Sequence, residues 1–232
     1  QATILVSSGL ALLAAIMIIR LGDGPHLKRR HGAPPLRLGR VFYAFSVREF
    51  RASALGYFGH MWELYTVWVM VPLVLATRLS GTELSWAAFW VLGAGLIGCA
   101  GGGWVALRWG SARVATLQLA ISGLCCLATP FALDAPAPLF YGWLLLWGIT
   151  VSGDSPQFST LTARNAPPQA VGSVLTLTNS IGFGISIVSI LLFVSLAQTV
   201  RLGTLLPWLA VGPALGLWAM ARLVREETTA AA

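Results

Sequence analysis

A chain of 232 residues with 56% hydrophobic and only 10% charged side chains lies far from the roughly one-quarter charged residues of a soluble domain. The net charge of +7 would suit a nucleic-acid binder, but the Lys and Arg residues sit in the breaks between apolar runs, so they read as topology signals and no nucleic-acid partner is expected. Cys99, Cys125 and Cys126 lie inside apolar runs without CxxC spacing or neighbouring histidines, which points to packing rather than a metal site, and no cofactor is expected.

The first run, "ATILVSSGLALLAAIMIIRLG", has no basic region before it and reads as a membrane span over 2–20 rather than a signal peptide, with further helices expected upstream. Next comes "GDGPHLKRRHGAPPLRLGR", a Gly-, Pro- and Arg-rich linker over 22–40 that with its flanks makes a basic segment over 21–48. Six more apolar runs follow at 50–76, 84–107, 112–133, 137–162, 169–198 and 203–223, forming a bundle over 49–224 ahead of a tail at 225–232. A span needs about 20 apolar residues to cross about 30 Å of hydrocarbon. The runs lack the period of two and the short segments of a barrel, and lipid offers no partner to an open backbone. The expected fold class is therefore all-α, a polytopic membrane protein with about seven transmembrane helices.

Short connections make consecutive helices antiparallel neighbours. Seven alternating crossings then put thirteen Lys and Arg residues on one side, from Arg20 through the linker to Arg225, and only Arg78 and Arg201 on the other. The excess marks the linker and the C-terminus as cytoplasmic, in a bacterial inner membrane. Seven spans also suit a retinal-binding protein, but that chemistry needs an intramembrane lysine, and the sole lysine, Lys28, is in the linker.

Two acids interrupt the apolar runs. In "GYFGHMWELYTVWVM", Glu63 lies about 18 Å of helix beyond Arg51, and in "LFYGWLLLWGITVSGDSPQFSTLTAR", Asp154 lies about 15 Å from Arg164, so both fall near the midplane. A charge there costs about 2.5 to 3.5 kcal/mol, which makes each acid a functional candidate. His60 precedes Glu63 by one turn, Tyr57 precedes His60 by another, and Gln157 follows Asp154 by one. Pro156 beside Asp154 removes a helix hydrogen bond and frees a carbonyl one turn earlier. Asn179 falls at a similar depth in its own run. The glycines of "GAGLIGCAGGG" read as a close-packing surface, while Trp86, Trp104, Trp109 and Trp208 lie near span ends and suit an interfacial belt.

The arrangement resembles the carboxyl-terminal half of a major facilitator superfamily transporter preceded by the last helix of the amino-terminal half. A basic linker separates one span from six. "GGWVALRWGSAR" is similar to the family's short-loop motif through Gly103, Arg108, Gly110 and Arg113, with Leu107 where an aspartate is usual. "GDSPQFSTLTARNAPPQAVGSVLTLTNSIGFGISI" looks like the family's tenth and eleventh helices with their loop. The resemblance implies a secondary transporter that moves a small solute by alternating access between two six-helix bundles. Glu63, His60, Asp154, Gln157, Tyr57 and Asn179 would then be the candidate solute or proton sites, on helices that line a central cavity. Its partners would be the solute, a coupling proton, the lipid bilayer, and the missing N-terminal helices or a partner half. Two other classes remain: a transporter-like sensor or scaffold, compatible with Leu107, and an intramembrane enzyme, against which stands the lack of HExxH or GxSxG motifs.

Overall fold

The computed structural model describes residues 2–21, 42–168 and 170–230, with side chains over 4–21, 42–168 and 170–225. The described residues are helical with turns between and contain no strand. The basic linker over 22–40, including Lys28, lies outside them.

The chain forms two compact units, Gln1–Leu36 and Arg37–Ala232. In the first, helix α1 (Ala2–Arg20) is apolar on every side and ends on Arg20. In the second, a single 3-10 turn at Ala44–Ser46 leads into α2 (Arg48–Leu75), followed by α3 (Gly81–Gly93), α4 (Gly95–Trp109), α5 (Ser111–Ala132), α6 (Ala137–Gly153), α7 (Ser155–Asn165) and α8 (Val171–Leu196). A short α9 (Leu202–Leu205) and a 3-10 turn then enter α10 (Val211–Ala230), which runs on into the segment expected as a tail.

Five helical stretches among the described residues are long and apolar enough to cross a membrane: Arg48–Leu75, Gly81–Trp109, Ser111–Ala132, Val171–Leu196 and Leu202–Arg225. This is an integral membrane protein by the length and composition of its helices. Two runs counted as spans from the sequence fall short of the same standard. Ile4–Arg20 is shorter, and the run over 137–162 is divided between α6 and α7 at Asp154.

Helix α4 continues α3 through Ala94, and α2 and α5 end side by side. At one end Arg78, after α2, donates to the carbonyls of Leu133 and Ala135, after α5, at 2.6 Å each. At the other end Phe50 and Ala54 of α2 pack on Ala166 and Val174, on either side of the α7–α8 connection. The reversal between α4 and α5 takes one residue, Gly110, with φ 86° and ψ 149°, a conformation open essentially to glycine alone.

Small residues set the helix distances. The predicted glycine surface divides into two faces. Gly95, Gly98 and Gly102 are buried, whereas a Cβ added at Gly93, Gly101 or Gly103 would meet nothing within 4 Å. A Cβ on Gly98 would strike the Ile149 carbonyl of α6, and one on Gly95 would come within 2.6 Å of the Ser152 side chain. A second glycine crossing, not anticipated from the sequence, joins α2 to α10. Gly59 faces Gly212, where a Cβ would lie 2.6 Å from the Gly59 carbonyl, and Gly216 faces Gly56. Where backbones approach this closely, dispersion and weak backbone contacts replace the hydrophobic effect that lipid cannot supply.

A larger side chain at Gly98 is expected to force α4 from α6 and cost about 1–3 kcal/mol, as overpacking does. Gly101→Ala, facing open space, is expected to be neutral or stabilising by up to about 1 kcal/mol, from the helix propensity gained. Thermal unfolding of Gly98→Leu and Gly101→Ala in lipid or detergent checks the pair, and equal midpoints would refute the packing described.

Candidate functional site

Two polar clusters sit within the bundle, one helical turn apart on α2. Glu63 is fully buried, and its Oε1 accepts three hydrogen bonds: from Ser122 Oγ at 2.5 Å, Trp147 Nε1 at 2.8 Å and Cys126 Sγ at 3.1 Å. Ser122 and Cys126 are four residues apart on α5, so they present two donors on one face, and Trp147 reaches in from α6. The second carboxyl oxygen, Oε2, is buried without a hydrogen-bond partner. Three donors from two helices converge on one acceptor, which fixes where α2 sits against α5 and α6.

The second cluster lies where α6 gives way to α7. Asp154 is the junction residue, and its carbonyl accepts from Phe158 N at 2.9 Å to start α7. Pro156 falls in the first turn of α7, where its missing N–H is not needed. The carbonyl this proline leaves without its helical donor is that of Ser152, and Cys99 Sγ of α4 donates to it at 3.3 Å. Gln118 of α5 donates similarly to the Gly98 carbonyl at 3.1 Å. The Cys99 side chain thus satisfies a backbone carbonyl at the α6–α7 break, as the hydrocarbon interior demands.

His60 is 1% exposed and bridges this junction. Its Nδ1 lies 2.9 Å from Asp154 Oδ1, an ion-pair approach without hydrogen-bond alignment, and its Nε2 lies 2.7 Å from Ser155 Oγ. The ring rests between Tyr57 and Phe158, with centroid distances of 6.1 Å and 5.6 Å. A neutral imidazole offers one donor and one acceptor, and a hydroxyl offers both. The His60–Ser155 hydrogen bond can therefore run in either direction, depending on the imidazole tautomer and the rotation of the hydroxyl.

The structure thus brings Tyr57, His60 and Asp154 together, with Gln157 buried in the first turn of α7 and Glu63 a turn further along α2. Glu63 is enclosed by its three donors and does not face open space. Asn179 does not join them; it lies on an exposed face of α8. The polar contacts of α8 come instead from Ser186, which donates to the Met61 carbonyl at 2.7 Å, and Ser189, which donates to the Trp62 carbonyl at 2.7 Å and accepts from Thr66. Their sequence signal is a stripe of small residues with Gly182, at spacings of four and three, that follows the face opposite α2. Cys126 and Ser122 had no comparable signal, because nothing in an apolar run marks which small polar residue meets an acid from another helix.

Of the short-loop residues, Gly110 makes the one-residue turn, Arg108 lies over the Trp104 ring with its guanidinium 5.3 Å from the centroid, and Leu107 is 84% exposed. Gly103 and Arg113 are partly exposed at the same end. Among the described residues no group of three or more His, Cys, Asp and Glu is placed to hold a metal ion. No protein-family model matches the chain, and no characterised protein matches it in sequence.

Glu63→Gln keeps an oxygen where the three donors converge, so it is expected to retain the fold. Glu63→Leu strands a buried hydroxyl, thiol and indole N–H, and is expected to cost several kcal/mol at about 1–3 kcal/mol for each unsatisfied group. Comparing the unfolding midpoints of the two variants tests the convergence on Oε1, and equal midpoints would rule it out.

Proposed function

We propose that the chain is part of a secondary transporter that moves a small solute by alternating access, with Glu63 and the His60–Asp154 pair as its protonatable sites. The supporting observation is that two carboxyl groups and an imidazole are buried to 1% exposure or less inside membrane-length apolar helices, beside a helix break. Burying such groups is costly, and in membrane helices they serve ion or solute pathways as a rule. Broken helices with polar residues at mid-depth are the usual setting of such a site.

In this reading α1 and the α6–α7 pair also cross the membrane, which makes seven crossings and places the linker and C-terminus in the cytoplasm of a bacterial cell. The chain would act as a carboxyl-terminal half of the major facilitator type, working against a second bundle, without catalytic chemistry of its own. Midplane acids favour a cationic solute or one that travels with protons. A sensor or scaffold that has lost transport is the second reading, and exposed Leu107 in the place of an aspartate favours it.

The test uses full-length protein in vesicles that enclose a pH-sensitive dye, with candidate cationic solutes added one at a time. Wild-type protein is expected to couple proton movement to uptake of one of them. Glu63→Gln is expected to bring coupled uptake down to background with the fold intact, and His60→Asn to alter its pH dependence. Uptake with unchanged pH dependence in Glu63→Gln would remove the assigned role, and wild-type protein that moves no solute would favour the sensor.

A further inference from the structure

Arg78 and Arg201 are the two cations that the alternation of spans assigns to the end opposite the basic loops, and the fold brings both to one pocket. This pocket, of about 580 Å³, is lined also by Thr77, Asp134 and Thr204. Arg78 is held in place: its Nη2 donates to two carbonyls and its guanidinium stacks 4.1 Å from the Phe140 ring centroid. Arg201 and Asp134 are exposed at the pocket, and no ion pair joins them among the described residues. The pocket therefore offers a cation and an anion separately.

A second cavity, of about 620 Å³, is an almost wholly apolar groove between α5 and the segment from Pro207 to Leu217. The same two stretches of chain line both cavities, a turn apart on each. Pro130 lies in the polar pocket and Leu127 in the groove; Thr204 lies in the pocket and Pro207 in the groove. From Leu127 to Ala120 the groove follows about 10 Å of α5. Trp208, 67% exposed, stands on the groove's wall near the pocket, a position that suits the membrane interface. An occupant that matches both cavities has a head carrying both charges at the level of the helix ends and an apolar tail directed along the helices.

We propose that this face holds one diacyl phospholipid with a primary-ammonium headgroup: its phosphate at Arg201, its ammonium at Asp134 and an acyl chain in the groove between α5 and α10. Arg78, whose Nη2 is committed to carbonyls, contributes positive potential to the phosphate side. The site depends on the membrane location alone and stands whether or not the chain transports a solute.

The experiment compares thermal unfolding of the full-length protein in vesicles of phosphatidylethanolamine and phosphatidylglycerol with vesicles in which phosphatidylcholine replaces phosphatidylethanolamine. Methylation removes the N–H donors that Asp134 would accept while leaving the phosphate unchanged. The expected midpoint is about 3 °C higher with phosphatidylethanolamine, the size of shift that a single moderate interaction gives in a chain this long. Arg201→Gln and Asp134→Asn, both at exposed positions, are expected to fold and to lose the difference, and Arg201→Lys to keep most of it. Leu124→Trp, which fills the groove, is expected to lose it too. The same midpoint for wild-type protein in both lipids would overturn the proposal. So would a full difference in Arg201→Gln and Asp134→Asn, which would assign the effect to the bulk bilayer. An equal rise produced by soluble phosphoethanolamine in phosphatidylcholine vesicles would put a free solute in the pocket and likewise overturn the lipid.

Discussion

The constraint on which the bundle depends is that hydrocarbon supplies no hydrogen-bond partner, so each polar group within it must find one inside the protein. Helix α2 meets this constraint most severely, because it carries both His60 and Glu63 in a stretch that is otherwise apolar. Its neighbours are placed accordingly. Ser122 and Cys126 fix α5, Trp147 fixes α6, Asp154 and Ser155 fix the α6–α7 junction, and Ser186 and Ser189 fix α8. Where apolar packing would tolerate rotation of a helix about its axis, these bonds specify one rotation. Glycine contacts then set how near the helices come: Gly59 against Gly212 lets the backbone of α10 approach that of α2.

Much of this was legible in the sequence. Five of the six apolar runs of the second unit fall on helical stretches long enough to cross a membrane, because length and apolarity are what membrane helices require, while the run over 137–162 divides at Asp154. Glu63 and Asp154, singled out as acids within apolar runs, are both fully buried. The break at Asp154 followed from Pro156. Other features were not legible because they depend on rotation about the helix axis, which a run apolar on all sides leaves undetermined. Asn179 shares its run with Ser186 and Ser189, yet only the serines face α2. Periodicity could not choose between them, since the whole of α8 is apolar or small. The same ambiguity hid Ser122 and Cys126 as partners of Glu63.

The breaks in the helices show a second use of the same constraint. Pro156 withdraws a donor from the Ser152 carbonyl, and a thiol from α4 replaces it. That thiol belongs to a cysteine whose sequence context suggested packing alone. The replacement ties the junction of α6 and α7 to α4, which approaches closely enough only because Gly95 and Gly98 lack side chains. A proline on α7 and a cysteine and two glycines on α4 therefore act together to keep a broken helix satisfied within an apolar medium.

The two acids are held in different ways, and the difference bears on what each can do. Glu63 has one oxygen saturated by three donors that all lie within intact helices, so its position changes only if α5 or α6 moves as a whole. Asp154 sits at a helix junction, with an imidazole as its close partner and no aligned donor on either carboxyl oxygen. Movement of α7 relative to α6 alters the Asp154–His60–Ser155 geometry directly, because Asp154 and Ser155 are the residues at which the chain would bend. The contacts of Asp154 thus belong to the α6–α7 junction, whereas the contacts of Glu63 hold α2, α5 and α6 together.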